Sequence, residues 1–210
     1  MPQYRRIDVP SPLTRRVKEM SIKVAQKEIL RFLSAAEPEV LCISGRWGVG
    51  KTFAWNALLR EATEADRLAL RSHSYVSLFG LDSLTDVRTA IVEATRREGD
   101  STEPREKFGD AFHRLKAYVS LAQRNAPPAI RDYIATNPLF LFSSVREQIV
   151  CIDDMERRGR NLELRDVFGI ISDLKERRSC KVVVLLNHDE LGDSAPQFDA
   201  LAEKVCDVIL

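Results

Sequence analysis

Apolar runs of about five or six residues recur along the chain, and most are followed by a segment with helical spacing. Glu39–Ser44 (EVLCIS) reads as a short buried strand; after a glycine-rich turn a helix starts at Lys51 with Ala54, Leu58 and Leu59 on one face. A second strand runs from His73 to Phe79 and is closed by Gly80, after which Leu84, Val87, Ile91 and Ala94 recur at helical spacing toward Arg97. Ser83 stands where it can cap that helix, with Asp86 at the capping-box position. Gln148–Ile152 (QIVCI) is a third strand, and Leu164–Arg178 a helix that turns Leu164, Val167, Phe168, Ile171 and Leu174 inward. Lys181–Leu186 (KVVVLL) is the most continuous apolar run, and Val205–Leu210 (VCDVIL) a fifth candidate strand. Strands apolar on both faces, separated by amphipathic helices, predict an α/β fold with a parallel sheet covered on both sides.

One stretch breaks this rhythm. Gly99–Arg146 is charged and punctuated by Pro104 and the Pro127–Pro128 pair, and it predicts an insertion of two or three helices, the first with Phe108, Phe112, Leu115 and Val119 on one stripe. The organisation expected is therefore a basic helical arm over residues 1–37 and a core over 38–210, with the insertion at about 99–146.

Composition narrows the function classes. The chain has 210 residues, 44% hydrophobic and 30% charged, enough for one large domain or two small ones. Thirty-two Lys and Arg against thirty-one Asp and Glu leave a net charge of +1, so nucleic-acid binding is unsupported by total charge. The ends differ in sign: Met1–Arg31 is basic and Asp189–Leu210 acidic, which fits solvated helix faces or a basic arm that meets an acidic partner or a phosphate backbone. Cys42, Cys151, Cys180 and Cys206 have no CxxC spacing and read as small buried hydrophobes of a reducing, cytoplasmic protein. The longest charge-free stretch, Tyr133–Val145, is well short of the roughly 18 to 20 residues a spanning helix needs, so no membrane span is expected.

The chemistry starts at Gly45–Thr52, GRWGVGKT, which fits the G-x-x-x-x-G-K-[ST] pattern in the strand–loop–helix context that pattern requires. Gly45, Gly48 and Gly50 let the backbone curl so that successive N–H groups of Gly45, Arg46, Trp47, Gly48, Val49, Gly50, Lys51, Thr52 and Phe53 line a binding loop and point inward, and the new helix adds its positive end. A triphosphate fits such a cradle. Lys51 would set its ammonium between the β and γ phosphates, and the Thr52 hydroxyl would take one position on Mg²⁺. Trp47 is not demanded by phosphate binding; it either packs beside the nucleotide or anchors the loop on a neighbouring element.

Ile149–Asp154 (IVCIDD) ends a buried strand in two carboxylates, which needs a counter-charge. With Mg²⁺ present, Asp153 can hold it and Asp154 can polarise the water that attacks the γ phosphate, with Glu156 a weaker candidate for that second role. Asn187, after KVVVLL, either lies beside the γ phosphate or caps the turn before His188 and Asp189; His188 is at most a support. Arg157, Arg158, Arg160 and Arg165 read mostly as a solvated surface, with Arg157 the one best placed to pair with a carboxylate.

GRWGVGKT, Tyr75–Leu84 (YVSLFGLDSL), Ile149–Gly159 (IVCIDDMERRG) and Lys181–Leu191 (KVVVLLNHDEL) together resemble the KAP family of P-loop NTPases. The resemblance implies an ASCE-type, three-layer α/β/α core related to the AAA+ and STAND ATPases, with five parallel strands in the order 5-1-4-3-2 and the helical insertion between strands 2 and 3. It implies Asp153 as the Mg²⁺ carboxylate, Asp154 as the catalytic acid position and Asn187 as the sensor. Family members include phage-exclusion proteins and membrane scaffolds, and the core is followed by a helical region that closes over the nucleotide. This chain stops at the fifth strand and so reads as an N-terminal fragment or a short member, with self-association or an effector region beyond it. The expected function is Mg²⁺-dependent ATP binding with slow hydrolysis that drives a conformational or assembly switch in phage defence. The alternatives are a non-hydrolysing, nucleotide-bound interaction module and a nucleic-acid-stimulated ATPase.

Overall fold

The computed structural model describes residues 5–6, 15–97 and 142–210. In chain order these form β1 (Arg5–Arg6), α1 (Arg15–Ser34), β2 (Val40–Ser44), α2 (Lys51–Glu64), β3 (Ser72–Ser77), α3 (Leu84–Ala94), β4 (Arg96–Arg97), β5 (Gln148–Asp153), α4 (Leu164–Arg178), β6 (Lys181–Leu186), α5 (Ala195–Val205) and β7 (Val208–Ile209). Two 3-10 turns, Met155–Arg157 and His188–Ser194, follow β5 and β6. Of the insertion expected at about 99–146, residues 99–141, with the Phe108–Val119 stripe, lie outside the described residues.

The strands make one sheet in the order β1-β7-β2-β6-β5-β3-β4. All its pairings are parallel except that of β3 with β4. Its five inner strands, β7-β2-β6-β5-β3, have the expected 5-1-4-3-2 order. The strand that enters between the loop strand and the acidic strand is β6, which pairs Val40 with Val182 on one side and Val150 with Val182 on the other. Every residue of β5 and β6 is buried, because both faces of these central strands are covered. On one face Leu41, Ile43, Cys151, Val183 and Leu185 meet Phe32 and Leu33 of α1 and Trp55 and Leu58 of α2. On the other, Cys42, Val150, Ile152 and Val184 meet Val87 and Ile91 of α3, Phe168 and Ile171 of α4, and Phe198 of α5. The result is a three-layer α/β/α P-loop NTPase fold.

Two boundaries differ from the pattern reading for physical reasons. The second strand ends at Ser77 rather than Phe79, since its partner β5 stops at Asp153 and Asp154 turns into the left-handed region at φ 57°. The last strand is confined to Val208–Ile209, since helical hydrogen bonding persists through Val205 and Cys206 still donates to Ala202 O at 2.9 Å. Ser83 caps α3 as expected, with its Oγ accepting from Asp86 N at 3.1 Å, but the Asp86 carboxylate reaches Asp82 N instead of the cap residue. All four cysteines are free and buried. Among the described residues, no helix is long and apolar enough to cross a membrane.

Lys181 opens the apolar run of β6 and is itself fully buried. Its Nζ donates to Ala35 O at 2.7 Å and Glu37 O at 3.1 Å, and it lies 4.6 Å from the Phe32 ring centroid. These carbonyls follow the last turn of α1, where backbone acceptors are left over and the helix end is negative. The buried ammonium thus fastens α1 to the middle of the sheet. Burial nevertheless holds its pKa below the ordinary lysine range.

Candidate functional site

The carboxyl ends of β2, β5 and β6 converge on the loop between β2 and α2. Its three glycines serve different needs. Gly48 (φ 78°) and Gly50 (φ 89°) occupy the left-handed region, where side chains are strained. Gly45 has an ordinary φ but no room: a Cβ there would meet Val49 Cγ2 at 3.2 Å. Its N–H donates to Leu186 O at 3.2 Å, which ties the loop to the end of β6. Lys51 folds back on the loop, its Nζ donating to Gly45 O at 2.6 Å and Arg46 O at 3.2 Å.

Asp153 is the buried carboxylate of the pair, and three donors satisfy it. Its Oδ1 accepts from Asp154 N at 2.8 Å, and its Oδ2 from Thr52 Oγ1 at 2.7 Å and Tyr75 OH at 2.8 Å. Burial and the adjacent Asp153 charge push the Tyr75 phenol well above its ordinary range, so it stays a donor. Asp154 turns away: its Oδ2 accepts from Ser77 Oγ at 2.6 Å, and Arg157 Nη1 lies 3.7 Å from its Oδ1. The Arg157 guanidinium stacks 3.9 Å over the ring of Phe79, which fixes its approach.

The segment after β5 is used residue by residue. Met155 is fully buried in the core. Glu156 accepts from the Trp47 indole at 3.1 Å. Arg158 is no solvated arginine: it donates to Leu162 O and Met155 O, reaches Ser194 Oγ at 3.5 Å, and its pKa is lowered by burial. Gly159 donates to Leu81 O at 2.8 Å, and a Cβ on it would stand 2.4 Å from Asp82 Oδ1.

One pocket of about 230 Å³ is lined by Trp47, Gly48, Gly50, Lys51, Thr52 and Phe53 on the loop side and by Asp153, Asp154 and Glu156 on the acidic side. Arg46 lies outside that lining and pairs with Asp189 at 3.2 Å. Asn187 is buried at the end of β6 and occupies the N-cap position of the 3-10 turn, but its side chain does not cap it. His188 does not line the pocket; it is bonded to Asp199 at 2.9 Å and packed edge-on against Phe198. Tyr75 and Ser77 are the site residues the sequence reading missed. The signal was present in the alternation of β3, where 75 and 77 fall on one face while Val76 and Leu78 are buried on the other.

The sheet order and the phosphate loop together define a P-loop NTPase domain. No family model matches the chain, and no curated protein matches it in sequence. Among solved structures it is similar to the Aeropyrum pernix ORC2 protein in its ADP form (TM-score 0.47, 19% identity, 97% of this chain and 50% of that chain). It is also similar to Cdc6p from Pyrobaculum aerophilum (TM-score 0.47, 18% identity, 97% of this chain and 46% of that chain). The chain therefore spans about half the length of each of these two proteins.

Proposed function

We infer that this chain is a Mg²⁺-dependent ATP-binding domain that hydrolyses ATP slowly and uses the cycle as a conformational or assembly switch. The observation that carries the reading is the 2.7 Å hydrogen bond between Thr52 and Asp153, inside the pocket that Lys51 also lines. A hydroxyl and a carboxylate in contact form a hard oxygen donor set that suits Mg²⁺, and the same cation would balance the buried Asp153. Bound there, Mg²⁺ would neutralise charge on the β and γ phosphates. Lys51, whose partners among the described residues are backbone carbonyls of its own loop, exchanges those for phosphate oxygens. Asp154 accepts a proton as the water oxygen bonds to the γ phosphorus and the bond to the β–γ bridging oxygen breaks, leaving ADP and phosphate. Asn187, at the end of β6 with its side chain not used to cap the turn that follows, offers an amide toward the γ phosphate. Resemblance of the four motifs to the KAP family favours ATP as the nucleotide and phage defence as the setting.

Phosphate release and binding of a fluorescent ATP analogue with and without Mg²⁺ test this. Lys51→Ala is expected to abolish binding, and Asp154→Asn to keep binding and stop turnover. Turnover retained in both variants would sink the assignment.

A second reading has its own observation. A hydrogen bond from Ser77 Oγ engages one oxygen of Asp154 and Arg157 lies 3.7 Å from the other, so both face protein groups rather than an attacking water. If that arrangement persists with nucleotide bound, the domain is a non-hydrolysing module that keeps ATP as a ligand. Nucleotide that stays bound through gel filtration without phosphate release would decide for it.

A further inference from the structure

Glu156 shares the pocket with Asp153 and Asp154 but is engaged differently. Its Oε1 accepts from Trp47 Nε1 at 3.1 Å, while its Oε2 is buried with no hydrogen-bond partner among the described residues. Trp47 is 59% exposed, so packing does little to hold it. It sits on the phosphate loop beside Gly48, which takes a φ of 78° and, with no Cβ, allows the backbone there other shapes as well. The turn carrying Glu156 is by contrast pinned, by buried Met155, by the Arg158 bonds to Leu162 O and Met155 O, and by Gly159 against Leu81. The indole–carboxylate bond therefore joins an under-packed loop tip to a fixed turn, across the pocket both residues line.

The geometry points to Glu156 as a positioning residue that acts through the Trp47 indole to hold the tip of the phosphate loop in its triphosphate-binding shape. Proton transfer is left to Asp154. This rests on the triphosphate reading of the loop. The role needs an acceptor oxygen at Glu156 and an N–H at Trp47, whereas a proton-accepting role needs the carboxylate charge. Glutamine separates the two, since it keeps an acceptor oxygen and loses the charge.

The test titrates a fluorescent Mg²⁺–ATP analogue against wild type, Glu156→Ala, Glu156→Gln, Trp47→Phe, the Glu156→Ala/Trp47→Phe double variant and Lys51→Ala, with urea midpoints to show that each is folded. Glu156→Ala and Trp47→Phe are each expected to weaken binding by about five- to tenfold. The double variant should be no weaker than the weaker single, because both remove one bond. Glu156→Gln should recover most of what alanine loses.

A nucleotide-free readout runs beside it. The only other tryptophan, Trp55, is 1% exposed, so emission quenched by acrylamide belongs to Trp47. That quenching should rise in Glu156→Ala and return toward wild type in Glu156→Gln. Additive losses in the double variant, glutamine as damaging as alanine, or quenching unchanged by alanine would overturn the inference, even with Lys51-sensitive binding intact. Binding insensitive to Lys51→Ala would instead overturn the triphosphate reading beneath it.

Discussion

At the scale of single residues, the acidic segment shows how close packing can fix a residue type as firmly as charge does. Gly159 has no positive φ to explain it; it is required because Leu81 O and Asp82 Cα would lie 2.6 and 2.8 Å from a Cβ. Gly159→Ala must displace backbone, and with it the paired bonds from Asn161 N and Nδ2 to the Asp82 carboxylate. A loss of about 1–3 kcal/mol is expected, seen as a lower urea midpoint at unchanged slope. Gly169 is the internal control. It lies within α4 with nothing near its Cβ position, so Gly169→Ala should stabilise by about 0.5–1 kcal/mol. Equal effects at the two positions would mean that the crowding at Gly159 is relieved without cost.

At the scale of elements, the strands and the phosphate loop were legible because their signals are local. A run apolar on both faces states its own burial, and the loop pattern is eight consecutive residues. What was not legible depends on register between distant segments. Tyr75 and Ser77 reach the acidic pair only because β3 lies beside β5 with Ser77 opposite Asp153, a pairing that spans 76 positions. Arg158 looked like one more surface arginine until the turns after β5 and β6 were brought together around it. Lys181 is the clearest case, since its acceptors lie about 145 residues away at the end of α1. Lys181→Met keeps the volume but leaves Ala35 O and Glu37 O without this donor. The relief of a buried charge offsets part of that cost, so a loss of about 1–2 kcal/mol is expected. The amides of Ile29–Ser34 should then exchange faster with solvent. Unchanged exchange there would mean that Phe32 and Leu33 hold the helix on the sheet without the lysine.

At the scale of the molecule, chemistry is segregated by sheet edge and by depth. The phosphate loop and the carboxylates occupy the carboxyl edge, whereas Arg96 and Arg97 pair with the start of β3 and Phe142 is held by Arg178 near the start of β5, both at the opposite edge. Six-residue strands separate those edges by about 20 Å. Between them lies a core whose thiols make its stability depend on pH in a defined direction. Burial pushes Cys151 and Cys180 above the ordinary 9.0, and Cys42 is raised by a hydrogen bond with Cys206 and then by burial. Tyr75 is raised as well. Above these ordinary values the unfolded chain releases protons that the folded chain keeps, so stability is fully present below about pH 9 and falls as pH rises. Each retained proton contributes a loss of up to about 1.4 kcal/mol per pH unit. Lys181 opposes this trend, because its lowered pKa makes the unfolded chain the better proton binder up to 10.5. Four groups against one leave a net decline. Urea midpoints under reducing conditions should therefore drop from about pH 8.5 to about pH 10.5, and Cys151→Ala, which removes one retained proton, should flatten the slope while lowering the midpoint at neutral pH through its cavity. A slope unchanged by that substitution would mean that Cys151 retains no extra proton, leaving the alkaline loss to Cys42, Cys180 and Tyr75.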